Sequence, residues 1–163
     1  MYKERFLKEE LDRIVADLYD TATMTDDWGA WVRATADRFG GHTSLFTLAD
    51  RQTGKAEILS APGFGQRTLQ LYGEYYNRLD IWANKAAQTP MKAMISADLC
   101  TDEEFADSEI CIDLLKPHQP NVFYVVGSVF SVGNCAGVIG IQRPRDAGQF
   151  SREHARGDRK SVV

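Results

Sequence analysis

Two apolar runs rich in β-branched residues form the clearest pattern in the chain, and they lie between Asn121 and Arg143. The runs are separated by Gly133-Asn134, a two-residue loop of the kind that favours a tight β-hairpin. If these two residues form the loop, Val132 faces Cys135 and the pairing of every other residue follows. Both faces of this hairpin are largely apolar, so we expect it in the middle of a sheet that is covered on both sides.

In that register Gly127 stands opposite Gly140, which leaves a notch without side chains on one face of the sheet. Glycines inside strands often mark places where another group approaches the backbone closely. Either a helix packs into the notch or a small ligand occupies it, and the sequence leaves both alternatives open.

The rest of the chain alternates between helical and strand patterns. Apolar residues recur every three or four positions in the helical segments, and apolar and polar residues alternate in the strands. The order of the elements predicts an α+β domain with an antiparallel sheet of about five strands and helices packed on its faces. The predicted helices cover 3–20, 25–39, 66–77 and 81–87, the segment 99–115 is predicted to be helical in one or two pieces, and a last helix begins near Ser151. The other strands cover 42–49, 56–61 and 93–97.

Composition narrows the class of protein. A chain of 163 residues with 44% hydrophobic content suits one domain, which we assign to 1–156 with a tail over 157–163. The formal net charge of -4 does not favour nucleic acid or an anionic membrane as a partner. No apolar run is long enough to span a membrane, and the charged N-terminus does not resemble a secretion signal. We therefore expect a cytoplasmic protein with reduced thiols.

Motifs for catalysis or metal binding are weak in this sequence. The cysteines and histidines match no metal-ligand spacing, and Gly63-Phe64-Gly65 lacks the lysine and the third glycine of a phosphate loop. We expect no enzyme activity, no metal and no cofactor. An enzyme would need a cleft with a perturbed carboxylate or thiol, for example Asp80 or Cys100.

The segment from Leu71 to Trp82 carries the most informative group of side chains. It includes three tyrosines, an aspartate and a tryptophan, so it offers apolar surface together with a few hydrogen-bonding groups. That composition is typical of the wall of a small-molecule pocket. The alternative is that Tyr72 and Tyr76 belong to the core and that Asp80 only caps the next helix.

The order of these motifs resembles the N-terminal sensor region of bacterial LuxR-family transcriptional regulators. The resemblance covers about residues 10–155. It is carried by the following segments: Leu18-Tyr19-Asp20, Trp28 in the second helix, Asp50 to Gly54 in a hairpin, Tyr72 to Trp82, Ser108 to Pro117, and Arg143-Pro144 with Phe150-Ser151.

The resemblance implies a GAF/PAS-like fold with a pocket for a small, partly apolar ligand. By the resemblance, Tyr72, Tyr76, Asp80 and Trp82 would lie beside the cavity. In the branch of the family that binds acyl-homoserine lactones, an aspartate followed by proline contacts the ligand amide, whereas Ile81 follows Asp80 here. Phe46 and Phe130 are expected to form the apolar wall.

The resemblance also implies partners. Such sensor regions continue into a DNA-binding helix-turn-helix, which we do not expect within the last residues of this chain, so we expect no specific DNA binding by this polypeptide alone. We expect a ligand-sensing and dimerisation domain, with the helix over 3–20 as the dimer element. We expect a homodimer, or a heterodimer with related regulators. The alternative is a truncated regulator-like protein that acts by pairing with full-length relatives.

Overall fold

The computed structural model describes residues 28–152. The helix predicted over 3–20, the residues that would cap the second helix, and the tail predicted over 157–163 lie outside this range. Helix α1 (Trp28–Arg38) is the first described element. It ends where Gly40 adopts a positive φ of 66°, a conformation that glycine reaches without strain.

The sheet has five antiparallel strands, as the sequence predicts. Its strands are β1 (Thr43–Asp50), β2 (Ala56–Ser60), β3 (Met94–Ile95), β4 (Tyr124–Val132) and β5 (Cys135–Arg143). Their order across the sheet is β2-β1-β5-β4-β3. The hairpin of β4 and β5 is therefore interior, since β1 flanks β5 and the two-residue β3 flanks β4.

The register of the β4–β5 hairpin is the predicted one. Val132 pairs with Cys135 across the Gly133-Asn134 turn, and Gly127 pairs with Gly140. Because strand residues alternate between faces, this register decides which side chains can meet on each side of the sheet.

The remaining helices are short and follow one another between the strands. They are α2 (Gln66–Glu74), a 3-10 helix (Tyr76–Leu79), α3 (Ile81–Ala86), α4 (Ser96–Leu99), α5 (Asp102–Ala106), a π-helix (Ile110–Leu115), α6 (Lys116–His118) and a last 3-10 turn (Arg145–Ala147).

Two helical predictions differ from the structure in their boundaries. The helix predicted over 66–77 ends at Glu74, where the side chains of Asn77 and Arg78 donate hydrogen bonds to the carbonyl oxygens of Gly73 and Glu74. The segment 99–115, predicted as one or two helical pieces, is divided, because Thr101 caps a new helix. Its hydroxyl oxygen accepts from the Glu104 N–H at 3.1 Å, and its own N–H donates to the Glu104 carboxylate at 2.8 Å.

The two faces of the sheet are covered by different elements. Helix α1 covers one face, where the rings of Trp28 and Phe46 lie 5.4 Å apart in an edge contact. The other face carries the larger core. There Trp82 of α3 stacks on Phe105 of α5 with ring centroids 4.1 Å apart, and Phe105 in turn contacts Phe123.

Candidate functional site

Asp80 begins α3 and also joins it to α2. One carboxylate oxygen accepts hydrogen bonds from the backbone N–H groups of Trp82 and Ala83, each at 3.0 Å. The other oxygen accepts from the Tyr72 hydroxyl at 2.9 Å. The capping role weighed from the sequence is present, and the bond to Tyr72 adds a second role that capping alone does not require.

Burial changes the acid–base behaviour of this pair. It raises the pKa of Asp80, although hydrogen bonds from the Ala83 N–H, the Tyr72 hydroxyl and the Trp82 N–H oppose the rise. Burial also raises the pKa of Tyr72 well above its usual value, and the neighbouring Asp80 adds to this shift. The phenol therefore stays protonated and acts as a hydrogen-bond donor.

Trp82 follows directly and anchors α3 in the core with only 8% of its surface exposed. Among the residues described, its indole N–H has no hydrogen-bond partner. Burial raises the pKa of the nearby Cys100 thiol, and the positive charge of Lys85 opposes that rise. A protonated, buried thiol is a poor nucleophile, so Cys100 lacks the environment of a reactive cysteine.

A first cavity lies between α3 and the glycine pair of the hairpin. It has about 40 Å³ accessible to the centre of a water molecule. Apolar side chains dominate its walls, and the few polar groups come from Asp80, Ser128 and Gln142. Its apolar lining comes from Leu45, Trp82, Ala83, Ala86, Met94, Leu99, Val125, Val129, Val138 and Ile139, with Gly127 and Gly140 at the notch.

A second cavity of the same size, about 40 Å³ by the same measure, lies under α2. Four residues line both cavities: Leu45, Asp80, Trp82 and Gln142. The remaining lining of the second cavity comes from Phe64, Thr68, Leu69, Tyr72, Phe105, Ile110, Leu114, Leu115 and Val122. Both cavities are mostly apolar with a few polar groups, the composition that small-molecule sites have.

The glycine notch holds a protein side chain as well as bordering the first cavity. A Cβ atom on Gly140 would lie 2.9 Å from the amide nitrogen of Gln142. A Cβ atom on Gly127 would lie 2.3 Å from the Ile139 carbonyl oxygen. Gly127 therefore serves close approach between backbones, whereas Gly140 makes room for the Gln142 amide.

Gln142 lies at both cavities and is absent from the site residues predicted from the sequence. It is buried, with 5% of its surface exposed, and its side-chain oxygen accepts a hydrogen bond from the Thr43 hydroxyl at 3.0 Å. A signal was available, since Gln142 is an uncharged polar residue in the covered, apolar hairpin. Such a residue needs either a protein partner or a ligand.

The structure places the predicted site residues in three locations. Tyr72, Asp80 and Trp82 lie together at the cavities. Tyr76 packs against the core nearby but does not line either cavity. Phe46 and Phe130 contact each other on the opposite face of the sheet, with ring centroids 6.0 Å apart. They do not reach the cavities because Phe46 follows Leu45 in β1 and so points the other way.

The described residues include no group of three or more histidine, cysteine or acidic side chains that could hold a metal ion. Within the same part of the chain, no helix has both the length and the apolar character needed to cross a membrane.

Comparison with known proteins identifies the fold. No protein-family model matches the chain, and no curated protein matches its sequence. The VqsR ligand-binding domain from Pseudomonas aeruginosa is similar in structure, with a TM-score of 0.59 at 13% identity over 82% of this chain and 80% of that one.

Two further solved structures are similar. CepR2 from Burkholderia cenocepacia, described as an N-acylhomoserine lactone dependent LuxR-family transcription factor, has a TM-score of 0.59 at 17% identity, covering 88% of this chain and 85% of that one. SdiA in complex with octanoyl-rac-glycerol has a TM-score of 0.58 at 10% identity, covering 94% and 69%. The fold is that of the ligand-binding domains of LuxR-family regulators, as the resemblance in the sequence implies.

Proposed function

We propose that this chain is a ligand-sensing domain of the kind found in LuxR-type transcriptional regulators, and that it encloses a small, partly apolar molecule between the sheet and helices α2 and α3. One observation carries the proposal: two apolar cavities meet at Asp80, Trp82 and Gln142 on the face of the sheet that bears the glycine notch. Tyr72, Asp80 and Trp82 are the binding residues in this proposal.

The size of the cavities limits the size of a ligand that fits without rearrangement. Each cavity offers about 40 Å³ to the centre of a water molecule, so each has room for a few waters. A molecule of a few atoms fits without rearrangement. A molecule with a longer chain has to join the two cavities or move one of their walls.

The role we propose is recognition rather than catalysis. The carboxylate of Asp80 already accepts three hydrogen bonds from the protein, two from backbone N–H groups and one from Tyr72. A general base needs a free oxygen directed at a substrate proton. In this arrangement Asp80 is suited to holding Tyr72 and the start of α3 in place.

Ligand binding is tested by thermal unfolding and calorimetry with N-butanoyl-, N-hexanoyl- and N-octanoyl-homoserine lactone and with octanoyl-rac-glycerol. A ligand at 100 times its Kd stabilises the folded state by about 2.7 kcal/mol, which raises Tm by several degrees. We expect at least one of these compounds to do so.

Two variants make the test specific to the site. Ala86→Leu adds side-chain atoms beside the first cavity, so it should abolish binding while the protein stays folded. Phe130→Leu changes the opposite face of the sheet and should leave the affinity unchanged. If no compound binds the unmodified protein, or if binding survives Ala86→Leu, the proposed site is wrong.

We also propose that the domain works as a pair in the cytoplasm, as a homodimer or with related regulators, and that it does not bind specific DNA by itself. The net charge of -4 supports the last point, because binding to the phosphate backbone requires a basic surface. Size-exclusion chromatography with light scattering tests the pairing, and a strict monomer at high concentration would contradict it.

A further inference from the structure

We propose that Gln142 selects the ligand by donating a hydrogen bond from its side-chain nitrogen to an acceptor oxygen, such as a carbonyl, placed over Gly140. The inference rests on the proposed function and extends it to the chemical class of the ligand. It assigns a specificity role to a residue for which the resemblance to known sensor domains implies none.

The position of Gln142 is the first reason. Gln142 has only 5% of its surface exposed and lines both cavities, so a ligand in either cavity would lie beside it. A buried amide that lacks hydrogen-bond partners costs free energy, so buried amides in proteins are usually hydrogen-bonded to the protein, to water or to a ligand.

The orientation of the amide is the second reason. The Thr43 hydroxyl, itself 1% exposed, donates to the oxygen of the Gln142 amide at 3.0 Å. This bond leaves the nitrogen end at the Gly140 notch, 2.9 Å from where a Cβ atom of that glycine would stand. Among the described residues, the Thr43 hydroxyl is the hydrogen-bond partner of this amide.

The balance of donors and acceptors decides the class of ligand. The carboxylate of Asp80 already accepts three hydrogen bonds from the protein. The Gln142 nitrogen, in contrast, offers two N–H groups and can accept nothing. A ligand that complements these cavities therefore has an apolar body and an uncharged acceptor oxygen, as an ester, amide, lactone or ketone does. An anionic head group would face the Asp80 carboxylate and be disfavoured.

A matched pair of probes tests this inference. Octanoyl-rac-glycerol carries an ester carbonyl, and 1-O-octyl-rac-glycerol is the corresponding ether without it. Calorimetric titration of the unmodified protein should show a preference for the ester of roughly two- to tenfold, which corresponds to one neutral hydrogen bond. In Gln142→Met, a side chain of similar length without a donor, the preference should disappear.

A second variant keeps the test decisive if Gln142→Met does not fold. In Gly140→Ala the new Cβ atom displaces the amide nitrogen from the notch while Gln142 itself remains. The ester preference should fall in this variant also, and circular dichroism reports whether each variant is folded.

The outcomes separate this inference from the proposed function. If the ratio of ester affinity to ether affinity is the same in the unmodified protein and in the variants, Gln142 does not select the ligand. The proposed ligand site would then still stand. Failure of the unmodified protein to bind either glycerol lipid or N-octanoyl-homoserine lactone would overturn the proposed function, and the role of Gln142 with it.

Discussion

Replacing Asp80 by alanine removes three hydrogen bonds, which serve two different structural roles. The two backbone N–H groups at the start of α3 lose their cap, and the Tyr72 hydroxyl loses its acceptor. Loss of an aspartate cap costs about 1 kcal/mol, and a buried donor left without a partner costs about 1–3 kcal/mol. We therefore expect Asp80→Ala to lower the free energy of unfolding by about 2–4 kcal/mol.

The double variant with Tyr72→Phe isolates the second part of this cost. Once the hydroxyl is absent, Asp80→Ala leaves no unpaired phenol, and the additional loss should fall to the cap alone, about 1 kcal/mol. The double-mutant cycle should therefore give a coupling free energy of about 1–3 kcal/mol between the two residues. A domain with the usual 5–15 kcal/mol of stability tolerates each of these changes and stays folded.

Urea unfolding followed by tryptophan fluorescence measures these quantities, because Trp82 lies in the core beside Asp80. The m-value shows whether the variants unfold as the unmodified protein does. If the two substitutions are additive within about 0.5 kcal/mol, the Tyr72–Asp80 bond does not join α2 to α3 in solution. The candidate site would then lack its central contact.

Two further predictions concern the pH dependence of Asp80 and the glycine pair. Because the folded-state pKa of Asp80 lies above its ordinary value of 3.8, the folded protein holds this proton more tightly. The free energy of unfolding of the unmodified protein, relative to that of Asp80→Asn, should therefore fall as pH rises from about 3.8 through the raised pKa. If the urea midpoints of the two proteins change in parallel across that range, the prediction is wrong. Gly127→Ala forces a Cβ atom to 2.3 Å from the Ile139 carbonyl oxygen and should cost at least about 1–3 kcal/mol. Gly140→Ala meets only the movable end of the Gln142 side chain at 2.9 Å and should cost less, so equal urea midpoints for the two variants would contradict the assignment.

The sheet could be predicted because its signals are local. The Gly133-Asn134 turn fixes one register for β4 and β5, and this register alone places Gly127 opposite Gly140. The break at Thr101 was also present in the sequence, because threonine followed by Glu104 is a capping-box pattern. The sequence prediction leaves one or two helical pieces open over 99–115, and this capping pattern marks where the division falls.

The candidate site was harder to predict because it depends on which face each side chain occupies. The alternation of β1 already places Phe46 on the face opposite Leu45, and the hairpin register places Phe130 opposite Gly137, away from the notch. The aromatic character of both phenylalanines favours a pocket wall, whereas the strand alternation places them on the face opposite the cavities. The bond between Tyr72 and Asp80 joins residues eight positions apart across a change of helix, and no local pattern specifies it.

Under the proposed function, the two cavities and the bond from Tyr72 to Asp80 together lead to an expectation about how the site responds to the size of a ligand. Of the residues in α2, Thr68 alone is buried, while Leu71 and Tyr72 are partly buried against the core. Two polar contacts also attach this helix: Tyr72 to Asp80, and at its beginning the Gln119 side chain, whose oxygen accepts from the Gly65 N–H at 3.0 Å. A ligand larger than the space of about 40 Å³ beneath α2 must displace a wall, and polar contacts exchange with water at a lower cost than buried apolar area. In the proposed binding mode we therefore expect a larger ligand to move α2, and the Tyr72–Asp80 bond is one contact whose loss would reduce the binding free energy.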